Sequence, residues 1–516
     1  MGVLFVAYCI FGTLMLLILF FNYTIVKYYT DTSEHYHLAT VVTVLSLSIT
    51  LFCVLLVPID ILIASGRVKD ISDIDIPKET VRNIFLSLFS IMLLLAFMLI
   101  PFAYFYGEEQ FDEIDSDGNA LCEKICESMK YTASFMLICA VLVIVGLIFR
   151  PEKDEWGQGK EWIRQLFDVE HVGEAAISFT VACLTLVGLL LWCFYTAFGM
   201  AAMPFTLIKG KKSLEEAKNE LEMDIGDVRD KIREIELRSA KSNTRMTRKE
   251  KRDKAKLEKM QKKLMARSSK ISEKQKDSSQ LLSRLLKFLT PFRVMLGVFA
   301  LIFSLIFFFS LFFGAIDRLI NSDCGFSCGF ITSSSSIFNP LDSLLVYLST
   351  MFPLDYLIFG LLILYIFIAS IYGIVRWGIR FLCVSVFTIK KKRTMPQALL
   401  VASIIMMLVV LGISVAILTV VPAYTTFGSQ KFVSDGKTVE CSLENFNENE
   451  CVMSNISSFF NRISLSIPLF SAVVYLMNWL FMAVFIVCGI SAAMQKPSSS
   501  FEEELEIEEE EEETFI

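Results

Sequence analysis

The stretch ALLVASIIMMLVVLGISVAILTVVP, residues 398–422, contains no charged side chain and is apolar almost throughout. The hydrocarbon core of a bilayer is roughly 30 Å thick, and a helix of about 20 apolar residues can cross it. In lipid the backbone must satisfy its hydrogen bonds within the segment, which favours a helix over other structures. This stretch therefore predicts a transmembrane helix.

Eight further apolar runs have the same character. The chain has 516 residues and a mean hydropathy of +0.57. Its hydrophobic fraction, 54%, exceeds the apolar fraction of ordinary soluble domains. The first run lacks a preceding basic region and is longer than a signal-peptide core, so we expect it to remain as a span. The sequence thus predicts an all-α polytopic membrane protein with about nine transmembrane helices. The other eight runs are Val3–Val26, Leu38–Ala64, Phe85–Tyr106, Tyr131–Phe149, Ile177–Leu207, Val294–Ile316, Leu357–Val375 and Ile467–Ile490.

A long charged excursion, residues 209–290, separates the fifth run from the sixth. Its apolar side chains recur at steps of three, four or seven over 214–235, and again over 257–285 after the polar break Ser239–Thr247. Such spacing places the apolar residues on one stripe of each helix. Two helices with a short connector predict a cytosolic antiparallel coiled-coil hairpin. Its basic residues alternate with acidic ones and lack aromatic neighbours, so we predict a solvated hairpin near the lipid membrane and no nucleic-acid partner.

The chain divides into four predicted regions. These are transmembrane helices 1–5 (1–208), the hairpin (209–290), transmembrane helices 6–9 (291–490) and a cytosolic tail (491–516). Ten glutamates lie within residues 501–516, a composition that predicts a disordered, solvated segment. Docking of this tail on a basic surface, including the hairpin, is the alternative interpretation.

Three features predict how the chain is oriented. Lys and Arg near the span ends are more numerous on the side that holds the hairpin and Lys390–Arg393, which favours the cytosol for that side. The opposite side holds the glycosylation sequon that begins at Asn455. It also holds four cysteines that are candidates for disulfides, with three connectivities open: Cys324, Cys328, Cys441 and Cys451. The N-terminus is therefore predicted to be non-cytosolic and the C-terminus cytosolic.

Charged residues in or beside spans are candidates for function, because burying a charge in lipid is costly. Asp60 follows Pro58 near the end of the second run, and Asp355 follows Pro353 just before the seventh. Proline followed by aspartate also describes the start of a helix, where the acid meets the helix dipole. We keep both interpretations open, and take Asp355, Pro353 and Asp60 as candidates for a transport path.

No motif of a metal site or an enzyme is evident. Cys324 with Cys328, and Cys122 with Cys126, are single pairs, whereas a structural zinc site needs four ligands. The sequence has no Walker A loop, GxSxG elbow, HExxH or dinucleotide fingerprint. We therefore predict no metal site, no cofactor and no enzymatic activity.

Four segments resemble a known family. Tyr195-Thr-Ala-Phe-Gly-Met-Ala-Ala-Met-Pro-Phe-Thr-Leu-Ile-Lys-Gly210 closes the fifth run, and Phe352-Pro-Leu-Asp-Tyr356, Pro396-Gln-Ala-Leu-Leu400 and Phe427-Gly-Ser-Gln430 come after it. Together with the nine runs and the hairpin, they resemble the LMBR-type membrane proteins and, within these, the lysosomal cobalamin transporter (LMBD) branch. The second-to-third loop lacks a sequon, and the ten-glutamate tail is not a feature that we associate with this branch.

The resemblance implies a glycosylated lysosomal membrane protein that helps to move cobalamin, with its cobalt, from the lumen to the cytosol. It also implies two kinds of partner, a subfamily D ABC half-transporter and cytosolic cobalamin-processing proteins. A non-transporting receptor or scaffold that escorts or stabilises a transporter is the alternative.

Overall fold

The computed structural model describes residues 2–31, 37–65, 78–108, 119–148, 172–210, 214–241, 248–277, 280–321, 337–349, 351–381, 384–428, 430–434, 437–441 and 451–495. The chain divides into two units. The first comprises Met1–Ala201 and Ile302–Gly489, and the second comprises Ala202–Leu301 and the chain from Ile490 onward.

Helices dominate the described residues. Before the excursion they are α1 (Gly2–Tyr29), α2 (His37–Ala64), α3 (Lys78–Leu94), α4 (Ile100–Glu108), α5 (Asn119–Ile148), α6 (Val172–Leu191) and α7 (Ala197–Lys209). From the excursion onward they are α8 (Leu214–Lys241), α9 (Arg248–Asp277), α10 (Gln280–Asn321), α11 (Pro340–Leu348), α12 (Leu354–Trp377), α13 (Pro396–Val420), α14 (Pro422–Phe427), α15 (Asn455–Ser466) and α16 (Pro468–Met494).

Short irregular elements interrupt this pattern. Single π-helical turns, Leu95–Leu99 and Trp192–Thr196, join α3 to α4 and α6 to α7. Two antiparallel hairpins come after α12 and α14, and the sequence patterns did not predict them. Their strands are β1 (Ile379–Phe381), β2 (Val384–Phe387), β3 (Lys431–Ser434) and β4 (Lys437–Glu440).

The prediction of nine transmembrane helices is confirmed. In the described part of the chain, nine helical segments are long and apolar enough to cross a bilayer. They are Gly12–Tyr29, His37–Ala64, Thr80–Glu108, Lys124–Val145, Ala176–Lys209, Pro291–Ile320, Leu354–Trp377, Pro396–Val420 and Leu469–Met494. The short helix α11 precedes the seventh span as a separate element.

The excursion consists of two helices, α8 and α9, that pack against each other. Three buried side chains of α8, Leu221, Val228 and Ile232, form an apolar cluster with Leu264 of α9. Helix α9 is described to Asp277, and α10 begins at Gln280 and runs on through Pro291 into the sixth span. The predicted extent of the second helix to Leu285 stays a prediction. Coiled-coil packing of α8 and α9 stays a prediction.

Helix α13, which contains most of the uncharged stretch 398–422, lies inside the first unit. Every residue from Val409 to Leu418 is buried, so no face of this part of the helix is left for lipid. A helix that is apolar on all sides belongs in a protein interior. Helices α2 and α6 pack along it, together with α4 and α12. The first unit is therefore built around α13.

Two glycines bring α6 and α13 into backbone contact. A Cβ on Gly188 would lie 2.1 Å from the carbonyl oxygen of Leu408, and a Cβ on Gly412 would lie 2.8 Å from the carbonyl oxygen of Gly188. Small residues at such crossings let membrane helices approach closely, because van der Waals packing rather than the hydrophobic effect holds helices together in lipid. The α6–α13 crossing therefore admits no larger side chain at these positions.

The fifth span continues from α6 into α7, which crosses α12 with the same close backbone contact. A Cβ on Gly199 would lie 1.8 Å from the carbonyl oxygen of Ala369, and one on Gly373 would lie 2.0 Å from that of Tyr195. The π-helical turn Trp192–Thr196 lies between the two crossings. A π turn inserts one residue into the helix and rotates the residues after it, so that small residues can face both neighbours.

We predict that Gly188→Ala destabilises the protein by about 1–3 kcal/mol, because the new methyl group overlaps the Leu408 carbonyl and forces the helices apart. The measurement is the thermal unfolding midpoint of purified protein in detergent. Gly360→Ala is the matched control, since a Cβ on this α12 glycine meets nothing within 4 Å. Equal midpoints for the two variants would contradict the tight crossing.

Candidate functional site

Of the four buried aspartates among the described residues, three lie in or near the second and seventh spans and belong to one network of hydrogen bonds. Asp60 belongs to α2, Asp342 to α11 and Asp355 to the first turn of α12. Asp60 and Asp355 are 0% exposed and Asp342 is 7% exposed. A buried carboxylate is costly unless it is paired or hydrogen-bonded, so the donors around each one decide what it can do.

Tyr424 of α14 connects two of these aspartates. Its hydroxyl donates to Asp355 Oδ2 at 3.1 Å, and its backbone N–H donates to Asp342 Oδ1 at 3.0 Å. The other oxygen of Asp342 accepts from the N–H of Ala423 at 3.3 Å. Asp342 thus satisfies N–H groups at the first turn of α14, where no carbonyl within the helix is available to them.

Asp60 holds the start of α15. Its Oδ1 accepts from Asn455 Nδ2 at 3.0 Å and its Oδ2 from the N–H of Ile456 at 2.9 Å. The Asn455 nitrogen in this contact is the atom that would carry a glycan. Glycosylation of Asn455 stays a prediction, and in this structure the side chain serves to bind α15 to α2.

Hydroxyl groups connect α14 to α15. Ser454, the N-cap of α15, donates its hydroxyl to the carbonyl of Thr425 at 2.7 Å and its N–H to the carbonyl of Thr426 at 3.0 Å. The hydroxyls of Thr426 and Ser457 share a further hydrogen bond of 3.1 Å. Because α15 also binds Asp60, one hydrogen-bonded network extends from α12 through α14 and α15 to α2.

The chain after α14 is fixed by paired contacts to the residues that precede α15. The amide of Gln430 donates to the carbonyl of Val452 at 2.7 Å and accepts from its N–H at 2.7 Å. Cys441 and Cys451 are joined by a disulfide. The other candidate cysteines, Cys324 and Cys328, lie outside the described residues.

The two aspartates among the three path candidates are thus placed beside protein donors. Pro353 immediately precedes α12 as its N-cap residue, which fits the helix-start interpretation of this proline and of Asp355. Asp60 and Asp355 belong to the same network through α14 and α15. Their role in a transport path stays a prediction.

Two residues of the network, Asp342 and Tyr424, were not predicted from the sequence. For Asp342 a signal existed, since Asn339-Pro340 before an acidic residue is a typical helix start, and the Asn339 side chain does accept from the N–H of Asp342 at 3.3 Å. For Tyr424 nothing in its neighbourhood distinguishes it from other aromatic residues of the chain. Among the described residues, no group of three or more His, Cys, Asp or Glu side chains could hold a metal ion.

The motif Tyr195–Gly210 makes specific contacts along its length. The Tyr195 hydroxyl donates to the carbonyl of Gly378 at 3.2 Å, and the hydroxyls of Thr196 and Ser370 are 2.7 Å apart. The motif also supplies Gly199 to the α12 crossing. Tyr195 and Thr196 are buried and position helices, so these contacts explain the motif as a packing element.

Comparison with known proteins agrees with this architecture. A family model described as LMBR1-like membrane protein matches residues 7–287. The chain is 34% identical over 504 residues to the "Probable lysosomal cobalamin transporter" of Dictyostelium discoideum, covering 96% of this chain and 97% of that protein. The chain belongs to the LMBR1-like membrane protein family.

This LMBR1-like protein is also 31% identical over 523 residues to the "Lysosomal cobalamin transport escort protein LMBD1" of Gallus gallus, covering 96% of this chain and 95% of that protein. No solved structure matches it. The family match ends before Asp342, Asp355 and Tyr424, whereas the two relatives align with nearly the whole chain.

We predict that Asp60→Ala destabilises this LMBR1-like protein by about 2–3 kcal/mol, because it leaves the N–H of Ile456 and the Asn455 amide buried without their acceptor. Asp60→Asn retains one acceptor oxygen and is expected to lose less. Thermal unfolding in detergent measures both. Asp224→Ala, at an exposed aspartate of α8, is the control, and a loss no larger than that of the control would contradict the role of Asp60.

The Asp342 carboxyl predicts a dependence of stability on pH. Burial raises the pKa of Asp342 from 3.8 to about 6, although the hydrogen bonds from Tyr424 and Ala423 lower it. Since the folded-state pKa lies above that of the unfolded chain, the stabilising contribution is complete below about pH 4 and is lost as the pH rises through 6.

Lowering the pH from 7 to 5 is therefore expected to raise the stability of the unmodified protein by about 1 kcal/mol relative to Asp342→Asn, which cannot titrate. The measurement compares the unfolding midpoints of both proteins at the two pH values. Asp224→Asn is the control, because its exposed carboxyl is expected to leave the difference unchanged. A constant difference between unmodified protein and Asp342→Asn would refute the prediction.

Proposed function

We propose that this protein serves the export of cobalamin from the lysosomal lumen to the cytosol, as a subunit that escorts and supports a transporter. The names of its relatives, a probable lysosomal cobalamin transporter and a transport escort protein, support cobalamin as the cargo. The names leave open whether the chain conducts cobalamin or assists a protein that does. The geometry of the aspartate network favours assistance.

The observation that carries the proposal is the binding of Asp60, Asp342 and Asp355 to the chain's own groups. A secondary transporter presents ionisable groups near the membrane midplane to its substrate or coupling ion. Here each aspartate accepts hydrogen bonds from α14 or α15, and Asp60 and Asp342 use both carboxylate oxygens for this purpose. These residues bind the segment after α13 to α2, α11 and α12.

The orientation of the chain in the membrane is part of the same proposal. The hairpin comes after five spans and the C-terminal tail after nine, so both lie on one side, and the basic flank predicts that this side is the cytosol. The aspartate network and the Cys441–Cys451 disulfide lie on the other side, the lumen, where oxidation is permitted. The hairpin is then available to cytosolic cobalamin-processing proteins. The transporter that the chain escorts is proposed to be a subfamily D ABC half-transporter.

Reconstitution separates escort from transport. Liposomes loaded with cyanocobalamin would contain this protein alone, the ABC half-transporter alone, or both, each with and without external ATP. We expect this protein alone to release no more cobalamin than empty liposomes do, and release in the presence of both to require ATP. Release by this protein alone, reduced by Asp355→Asn but not by Asp224→Asn, would overturn the escort proposal in favour of an autonomous transporter.

The escort itself is tested in cells that lack this protein. We expect their lysosomes to accumulate cobalamin and to contain at least about threefold less of the ABC half-transporter, with both effects reversed by the unmodified chain. The two proteins are expected to co-purify from lysosomal membranes. Unchanged cobalamin and unchanged partner levels would refute the proposed function.

A further inference from the structure

The second helix of the excursion is strongly basic. Helix α9 contains 13 Lys and Arg residues against five Asp and Glu. Arg252, Lys256, Lys259 and Lys263 succeed one another at steps of four, three and four residues, which places them on one face of the helix. All four are exposed. We call these four residues the basic stripe.

The basic stripe faces away from α8. Leu257 and Leu264, which pack against the apolar cluster of α8, lie roughly 100° or more around the helix from it. Lys254 also faces α8, and its Nζ is 2.6 Å from Glu236 Oε1. The basic stripe therefore lies on the outer face of the α8–α9 pair.

The glutamate-rich end of the chain starts from the same unit. Lys209, at the end of α7, donates from Nζ to the carbonyls of Ala492, Ala493 and Gln495 at 2.8, 2.7 and 2.7 Å. These carbonyls end α16, where a cation is favoured by the helix dipole. Lys209 thus links the start of the C-terminal segment, which comes after α16, to the start of the excursion, because α8 begins nearby at Leu214.

The distances permit the two charged segments to meet. Glu236, which pairs with Lys254, lies about 33 Å along α8 from Leu214. The basic stripe therefore lies roughly 15–40 Å from the start of the excursion. The glutamates occupy residues 502–513 and come seven to 18 positions after Gln495. An extended chain of that length reaches about 23–60 Å. The glutamates can therefore lie along the whole stripe.

We propose that the glutamate segment 502–513 docks on the basic stripe of α9 in the same molecule. Single exposed ion pairs contribute little, because water and salt screen them. Several pairs joined by a short tether gain from an effective concentration in the millimolar range. Docking is consequently reversible and sensitive to salt, and it covers the stripe against other anionic partners until one of them displaces the tail.

Energy transfer within the full-length protein tests this contact. A donor would be attached at residue 516 and an acceptor at Ala255, an exposed position beside the stripe, using unnatural amino acids because the chain has 13 cysteines. In phosphatidylcholine nanodiscs at 50 mM salt we expect high transfer. Raising the salt to 500 mM is expected to lower it at least about twofold, because screening becomes effective over a few ångströms.

Charge-reversal variants of α9 test whether the glutamate segment binds the basic stripe or another basic surface of the helix. Lys256→Glu with Lys259→Glu is expected to abolish the high transfer at low salt, whereas Lys251→Glu with Lys262→Glu, equally exposed but off the stripe, retains most of it. Replacement of Glu508–Glu513 by lysine is expected to restore transfer to the stripe variant. Carbodiimide cross-links between stripe lysines and residues 502–513, found by mass spectrometry, are the second readout.

Transfer that is low at 50 mM salt, or that changes equally in the two pairs of variants, would overturn the proposal. So would cross-linking of the stripe lysines to lipid headgroups alone in phosphatidylserine nanodiscs, with tail transfer absent in both lipids. Circular dichroism of each variant confirms that the helices are retained. Because none of these measurements involves cobalamin, the outcome is independent of the proposed function.

Discussion

The backbone contact between α6 and α13 is the constraint on which the first unit depends. At Gly188 and Gly412 the two helices approach so closely that a methyl group on either glycine would overlap a carbonyl group. In lipid, helix association has no hydrophobic driving force, so the stability of the crossing comes from dense packing. Because the Val409–Leu418 part of α13 is buried on all sides, this crossing and the crossing of α7 with α12 at Gly199 set where the surrounding spans can lie.

Once these helices are packed, few hydrogen-bond partners are left for the polar groups at the ends of the spans. Asp60 and Asp342 solve this by accepting backbone N–H groups at the first turns of α15 and α14. Tyr424 adds Asp355 to the same network. Buried charges thus fold the segment after α13 back onto α2 and α12, which is a structural task. This task is the observation on which the proposed escort function rests.

The second unit carries a strongly charged surface. Its helices α8 and α9 share a described apolar cluster, whereas α9 is basic along most of its length and Lys209 caps the end of α16. Exposed charges of this kind are screened by salt and can exchange partners. The protein therefore combines a tightly packed unit with one whose surface suits reversible binding.

Hydropathy alone determined the nine spans, because a backbone in lipid has to form helices of a definite length. Periodicity placed α8 and α9 within the excursion. The motif Tyr195–Gly210 indicated the family. Asp60, Pro353 and Asp355 stood out as candidates, because charge and proline beside apolar runs are visible in one dimension.

The tertiary structure decided what those residues contact. Asn455 lies almost 400 residues from Asp60 in sequence and binds it directly, and no local pattern encodes such a pair. Tyr424 and Asp342 became part of the site only through the fold, as did the π-helical turn between the two glycine crossings. Local chemistry determines which segments enter the membrane, whereas long-range packing determines which polar groups meet there.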